Sequence, residues 1–145
     1  MKARFDYQKA SPDAIKHLFG CQKVYAASGL EPRLMHLVEL RASQINGCAF
    51  CMHMHAGEAR KIGVPNEVLD TLPGWREAPW FSDRERAALA WTERLTRLAE
   101  PVDDSQEYDR LATHFTEKER TDLTYLIAMI NAWNRFGVGF RREPE

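Results

Sequence analysis

Apolar side chains recur three and four positions apart through most of the chain, and the breaks fall on glycine, proline and capping residues. Between Pro32 and Gly47, Leu34, Leu37, Val38, Arg41 and Ile45 keep the spacing of a helix with one inward face. An earlier helix is announced by Ser11-Pro12-Asp13, an N-cap followed by proline and an acidic first turn, and runs to Ser28, where Gly29 can take the left-handed stop. Asn46-Gly47 ends the Pro32 helix, and a third helix follows as far as Gly63. A short helix over 65–72 closes at Pro73-Gly74. Residues 73–81 hold Trp75 and Trp80 among two prolines and a glycine, which predicts an ordered loop. Ser82-Asp83-Arg84-Glu85 is a capping box, and Ala88, Leu89, Trp91, Leu95 and Leu98 follow it. Pro101-Val102-Asp103-Asp104 breaks the chain before a helix over 105–114. A second capping box, Thr116 to Glu119, opens the most apolar helix, which the pattern carries to Trp133. No segment alternates as a strand does. The pattern predicts an all-α protein: one helical domain over residues 1–145, with the second and third helices as an antiparallel pair.

Composition narrows the classes of function. Apolar residues make up 44% of 145 residues, enough for one real core, and the net charge is −1. That balance gives no electrostatic case for nucleic acid or an acidic membrane surface. The N-terminus has no apolar run of the kind a signal peptide carries. The stretch from Leu123 to Trp133 is far short of the ~20 residues a membrane span requires. Three cysteines, Cys21, Cys48 and Cys51, are too few for a disulfide framework and fit a reducing compartment, so the expected location is cytoplasmic. Cys21 reads as a small buried hydrophobe.

The chemistry concentrates in Cys48-Ala49-Phe50-Cys51-Met52-His53-Met54-His55. At 100° per residue, Cys48, Cys51 and His55 fall within an arc of about 60°, whereas His53 points away. Both thiols sit in the first turn after Gly47, where free N–H groups and the helix dipole favour a thiolate. Folding the two helices back on Asn46-Gly47 brings His36, ten residues before Asn46, level with His55, nine after it. Three readings fit these residues: a redox-active pair, a Cys₂His₂ metal set from Cys48, Cys51, His55 and His36, and unreactive core cysteines. The metal set would crowd its ligands onto one helix face. His17, His53 and His114 read as structural or solvated.

The run from Arg41 to His55 resembles the alkylhydroperoxidase D-like group of the carboxymuconolactone decarboxylase-like superfamily. Ile130-Asn131-Ala132-Trp133-Asn134-Arg135-Phe136 is similar to that family's closing helix. The resemblance covers about residues 15–140. It implies an antioxidant oxidoreductase, a hydroperoxide reductase in which Cys51 attacks the peroxide, Cys48 resolves the sulfenic acid and His55 relays a proton. It further implies no cofactor, a small hydroperoxide substrate, a dithiol reductant of lipoyl or thioredoxin type, and a homo-oligomer (dimer, trimer or hexamer). The alternative is a zinc-binding or thiol-sensing module, or a scaffold acting through oligomerisation.

Two positions depart from the family pattern. His36 stands where the family places the outer glutamate of the relay, twelve residues before the first cysteine. His53 stands where relatives often carry aspartate. Glu39 is about 60° around the helix from His36 and ranks low as a substitute. The expectation is therefore a weakened relay: with no negative charge from His36, His55 stays neutral to lower pH than in relatives with the glutamate, and the enzyme is slow at pH 7 and gains activity toward the free thiol pKa of about 8.5.

Overall fold

The computed structural model describes residues 2–144, which form eight α-helices and no strand. They are α1 (Tyr7–Ala10), α2 (Pro12–Ala26), α3 (Pro32–Asn46), α4 (Ala49–Lys61), α5 (Asn66–Thr71), α6 (Asp83–Thr96), α7 (Ser105–His114) and α8 (Glu117–Gly139). A 3₁₀ turn, Leu72–Gly74, extends α5. The all-α expectation holds, and both capping boxes form as read: Ser82 with Glu85 and Thr116 with Glu119 exchange side chain and backbone bonds.

Four local expectations change; the first is that Leu98 lies beyond the end of α6 at Thr96 and is 66% exposed instead of continuing its inward face. Tyr7–Ala10 is an unforeseen helix, started by Asp6 accepting from the N–H groups of Gln8 and Lys9. It exists because Tyr7 is buried against the rings of Phe136 and Phe140. The last helix does not stop at Trp133 but continues to Gly139, because Asn134, Phe136 and Gly137 all have tertiary partners. Cys21 is half-buried rather than a core residue.

Helix α3 is the axis of the fold. Leu37 and Leu40 pack with Ala59 of α4, Val68 and Leu69 of α5, Leu72, Trp75 and Leu89 of α6. Leu34 and Val38 pack on the other side with Ala87 and Ala88 of α6, Leu111 of α7 and Leu123, Leu126 and Ile127 of α8. A helix covered on both sides buries polar positions as well, so Glu39 and Ser43 lie in the interior. Each needs a partner there. Ser43 donates to the Glu39 carbonyl (2.7 Å) and accepts from the Asn134 amide (3.0 Å). Asn46 donates to Asn131 (3.0 Å) and Asn134 (2.8 Å), fastening the end of α3 to α8.

The loop over 73–81 is ordered for a specific reason. The Arg86 guanidinium donates to the carbonyls of Trp75 (2.8 Å), Arg76 (3.1 Å) and Phe81 (3.1 Å). Trp75 itself donates to Glu93 (2.9 Å), which also accepts from Arg41 (2.7 Å) and Arg76 (2.6 Å). Glu93 is 6% exposed, so this carboxylate joins α3, α6 and the loop from inside the protein. Glu93→Ala should lower unfolding stability by about 3 kcal/mol, because the mostly covered Arg41 guanidinium and the buried Trp75 N–H would both lose their acceptor. Denaturant unfolding at neutral pH measures it, and a loss below the ~1 kcal/mol of an exposed pair would contradict it.

Candidate functional site

The α3–α4 turn builds the site. Gly47 takes φ 69°, the left-handed stop, and its N–H returns to Ser43 and Gln44. The Cys48 N–H then reaches the Ser43 carbonyl (3.0 Å), which turns the chain and leaves Cys48 as the N-cap of α4. Its sulfur accepts from the Cys51 N–H (3.3 Å). Cys48 and Cys51 are joined as a disulfide, with their Cα atoms 5.3 Å apart, and are 2% and 3% exposed.

Helix α8 lies so close that only glycine fits against this pair. A Cβ on Gly137 would sit 2.5 Å from the Cys48 sulfur and 3.3 Å from that of Cys51. In an ordinary helix interior, alanine is better than glycine by up to ~1 kcal/mol. Here Gly137→Ala should instead destabilise the oxidised protein by about 1–3 kcal/mol through overpacking. Unfolding of the oxidised variant tests this, and a gain in stability would show that the sulfurs yield freely.

His55 is one turn beyond Cys51 and 5% exposed. Its Nδ1 is 3.0 Å from Glu58 Oε2 and 3.3 Å from Glu39 Oε2. His36 does come level with His55: its Nδ1 is 3.4 Å from Glu39 Oε2 and 3.8 Å from Glu58 Oε2. Burial alone would pull the His55 imidazole down, but Glu39 and Glu58 outweigh it and raise its pKa from 6.5 to about 9. Burial alone would push Glu39 up, yet the imidazoles of His36 and His55 hold it at about 2. The hydrogen bond from His55 likewise lowers Glu58.

The low rank given to Glu39 is thus corrected. The 60° offset from His36 does not remove it from the site, because α3 is enclosed and its carboxylate extends between the two imidazoles. The expectation that His55 stays neutral to lower pH is overturned for the same reason. Glu58 went unnoticed, although three residues after His55 on one helix is a pairing distance. His53 is exposed, as its angular position required.

Cys51, His55 and Glu39 line one cavity of about 130 Å³ with Tyr7, Phe19, Tyr25, Phe50, Met54, Ile130 and Trp133. Cys48 is not in its wall; of the pair, Cys51 is the one that faces the cavity. His55 Nε2, the ring nitrogen turned from the carboxylates, is buried with no hydrogen-bond partner among the described residues. A larger cleft of about 360 Å³ lies between the N-terminal segment and the end of α8, and no cysteine or histidine lines it. The Cys₂His₂ set is not assembled: the sulfurs bond each other against α8, while both Nδ1 atoms face carboxylates.

Among known proteins, the carboxymuconolactone decarboxylase family matches residues 12–94. The uncharacterized protein YdfG of Bacillus subtilis (strain 168) is 33% identical over 138 residues, spanning 95% of this chain and 94% of YdfG. A crystal structure of an Agrobacterium tumefaciens protein of unknown function, proposed to be the antioxidant defence protein AhpD, superposes with a TM-score of 0.96 at 41% identity, over 99% of both chains. The fold is also similar to an alkylhydroperoxidase AhpD core, an uncharacterized peroxidase-related protein from Ralstonia eutropha JMP134. There the TM-score is 0.84 at 20% identity, covering 96% of this chain and 74% of that one.

Proposed function

The chain belongs to the carboxymuconolactone decarboxylase family and has the alkylhydroperoxidase D-like fold, and from that premise we propose that it is a thiol-dependent hydroperoxide reductase. One observation carries the reading: Cys51 and His55 share a cavity wall, and His55 is backed by two carboxylates. In the reduced protein, the His55 imidazolium and the N-terminus of α4 favour the Cys51 thiolate. The thiolate attacks the terminal peroxide oxygen, the O–O bond breaks, and the departing alkoxide takes the His55 proton as an alcohol. Cys51 is left as a sulfenic acid. The Cys48 thiol condenses with it, releasing water and closing the disulfide. A dithiol reductant, of lipoyl or thioredoxin type, reopens the pair by exchange, and His55 regains its proton.

The aromatic and aliphatic cavity wall supports a small organic hydroperoxide as substrate. Exposed Phe19 and Val24 on α2 and Val138 on α8 support assembly into a homo-oligomer, in line with the family resemblance. Among the described residues no helix is long and apolar enough to cross a membrane. The sparse thiol content supports a reducing, cytoplasmic setting.

The test is consumption of cumene hydroperoxide by chelator-treated protein with dihydrolipoamide as reductant. Saturable turnover well above the reductant's own background is expected. Consumption no faster than that background would remove the proposal.

A further inference from the structure

Two antiparallel helices each present the same short pattern to one point: His36-x-x-Glu39 on α3 and His55-x-x-Glu58 on α4. At three residues apart, each pair lies on one helix face. Side chains from facing helices at this spacing are how helical bundles build metal sites. One ligand atom from each of the four residues lies within 4.8 Å of all the others.

The nitrogen–oxygen separations are those of ligands gathered around one small cation. Zinc bonds to imidazole nitrogen and carboxylate oxygen at about 2.0–2.2 Å, so the edges between ligands are about 3.3–3.6 Å. The four nitrogen–oxygen edges here measure 3.0, 3.3, 3.4 and 3.8 Å. Ordinary hydrogen bonding does not account for all of them. Each Nδ1 carries at most one proton, and the buried His36 Nδ1 has no hydrogen-bond partner among the described residues. The charges also fit. Two carboxylates neutralise a dication, and two neutral imidazoles complete an N₂O₂ set suited to zinc. Glu58 is half-exposed and gives solvent a way in, while Glu39 and His55 anchor the set in the interior.

We propose that His36, Glu39, His55 and Glu58 bind one divalent cation of the zinc class, and that filling this site silences the thiol chemistry. The second half rests on the reductase reading. A cation on His55 Nδ1 takes the place of a proton and occupies the carboxylates that hold the imidazolium. His55 keeps only its Nε2 hydrogen, and giving that up would leave an imidazolate on the cation, so His55 is a far weaker acid toward the departing alkoxide than the imidazolium is. Cys48 and Cys51 are not ligands, so the site differs from a zinc–thiolate centre.

The experiment is zinc binding to the oxidised, chelator-treated protein, followed by competition with a chromogenic chelator. One zinc per chain is expected. His36→Ala and Glu58→Ala, checked for retained helicity, should each weaken binding by about tenfold or more. A variant with both Cys48→Ser and Cys51→Ser should bind as the parent does. No retained zinc, unchanged affinity in both ligand variants, or loss of binding in the cysteine variant would overturn the site. With hydroperoxide, saturating zinc should slow turnover about tenfold or more, chelator should restore it, and His36→Ala should lose most of that sensitivity. Turnover unaffected by zinc, or inhibition undiminished in His36→Ala, would overturn the inhibitory role. Zinc bound through these four residues in a protein with no peroxide turnover would sink the reductase reading and leave the site standing.

Discussion

Cys51→Ser should abolish hydroperoxide turnover, lowering it at least about a thousandfold, while Cys48→Ser should stop after one event with an oxidised Cys51. The asymmetry follows from position. Cys51 lines the cavity with His55, whereas Cys48 is the N-cap behind it, under α8. A serine hydroxyl at position 51 is not ionised near neutral pH and is a poor nucleophile without a strong base. A serine at position 48 leaves the first step intact but removes the thiol that would capture the sulfenic acid. Intact mass after one equivalent of cumene hydroperoxide separates the two variants. The Cys48→Ser protein should gain one oxygen, or trap an added thiol, and the Cys51→Ser protein should gain nothing. Equal reactivity in both variants would contradict the assignment of roles.

Glu39→Gln should reduce turnover at pH 7 by about 10- to 100-fold and return His55 to a much lower titration point. General acid–base groups contribute about 10²–10⁴-fold, and Glu58 keeps part of that effect in the variant. In metal-free wild type, His55 titrates at about 9, so its imidazolium is present through neutral pH and is lost only as pH approaches 9. Activity should therefore hold from neutrality to about pH 8 and fall beyond it, the reverse of the alkaline gain expected from His36 alone. Stability has the same sign. The raised His55 contributes fully below 6.5 and loses its contribution as pH rises through about 9. The lowered Glu39 contributes fully above 4.5 and loses its contribution as pH falls toward about 2. The pair thus stabilises the oxidised protein most between about pH 4.5 and 6.5. NMR titration of the His55 ring in oxidised wild type and variant measures the shift directly. An unchanged His55 titration in Glu39→Gln would show that Glu39 does not hold the proton.

The helical frame was legible because its signals are local. Proline, glycine and capping boxes mark their own helix ends, and a 100° step places Cys48, Cys51 and His55 together without tertiary information. Even the approach of His36 to His55 follows from counting outward from Asn46-Gly47. What was not legible depended on neighbours. Glu39 looked peripheral because its angle was measured from His36 on a helix assumed to have one inward face. With α3 enclosed on both sides, a polar residue off the main stripe is still interior. Glu58 shares the His55 face, but an i,i+3 pair on one helix carries no mark that it converges with two residues on another helix. The continuation of α8 beyond Trp133 depends on tertiary contacts as well: Gly137 is the position where two sulfurs require the absence of a side chain.

The most direct test is a single turnover of reduced, chelator-treated protein with one equivalent of cumene hydroperoxide at pH 7, followed by thiol counting and intact mass. The expected result is one cumyl alcohol formed and loss of two thiols and two mass units per chain, with the Cys48–Cys51 bridge recovered in the peptide map. Peroxide left unconsumed with both thiols still free would contradict the redox pair at the centre of this account.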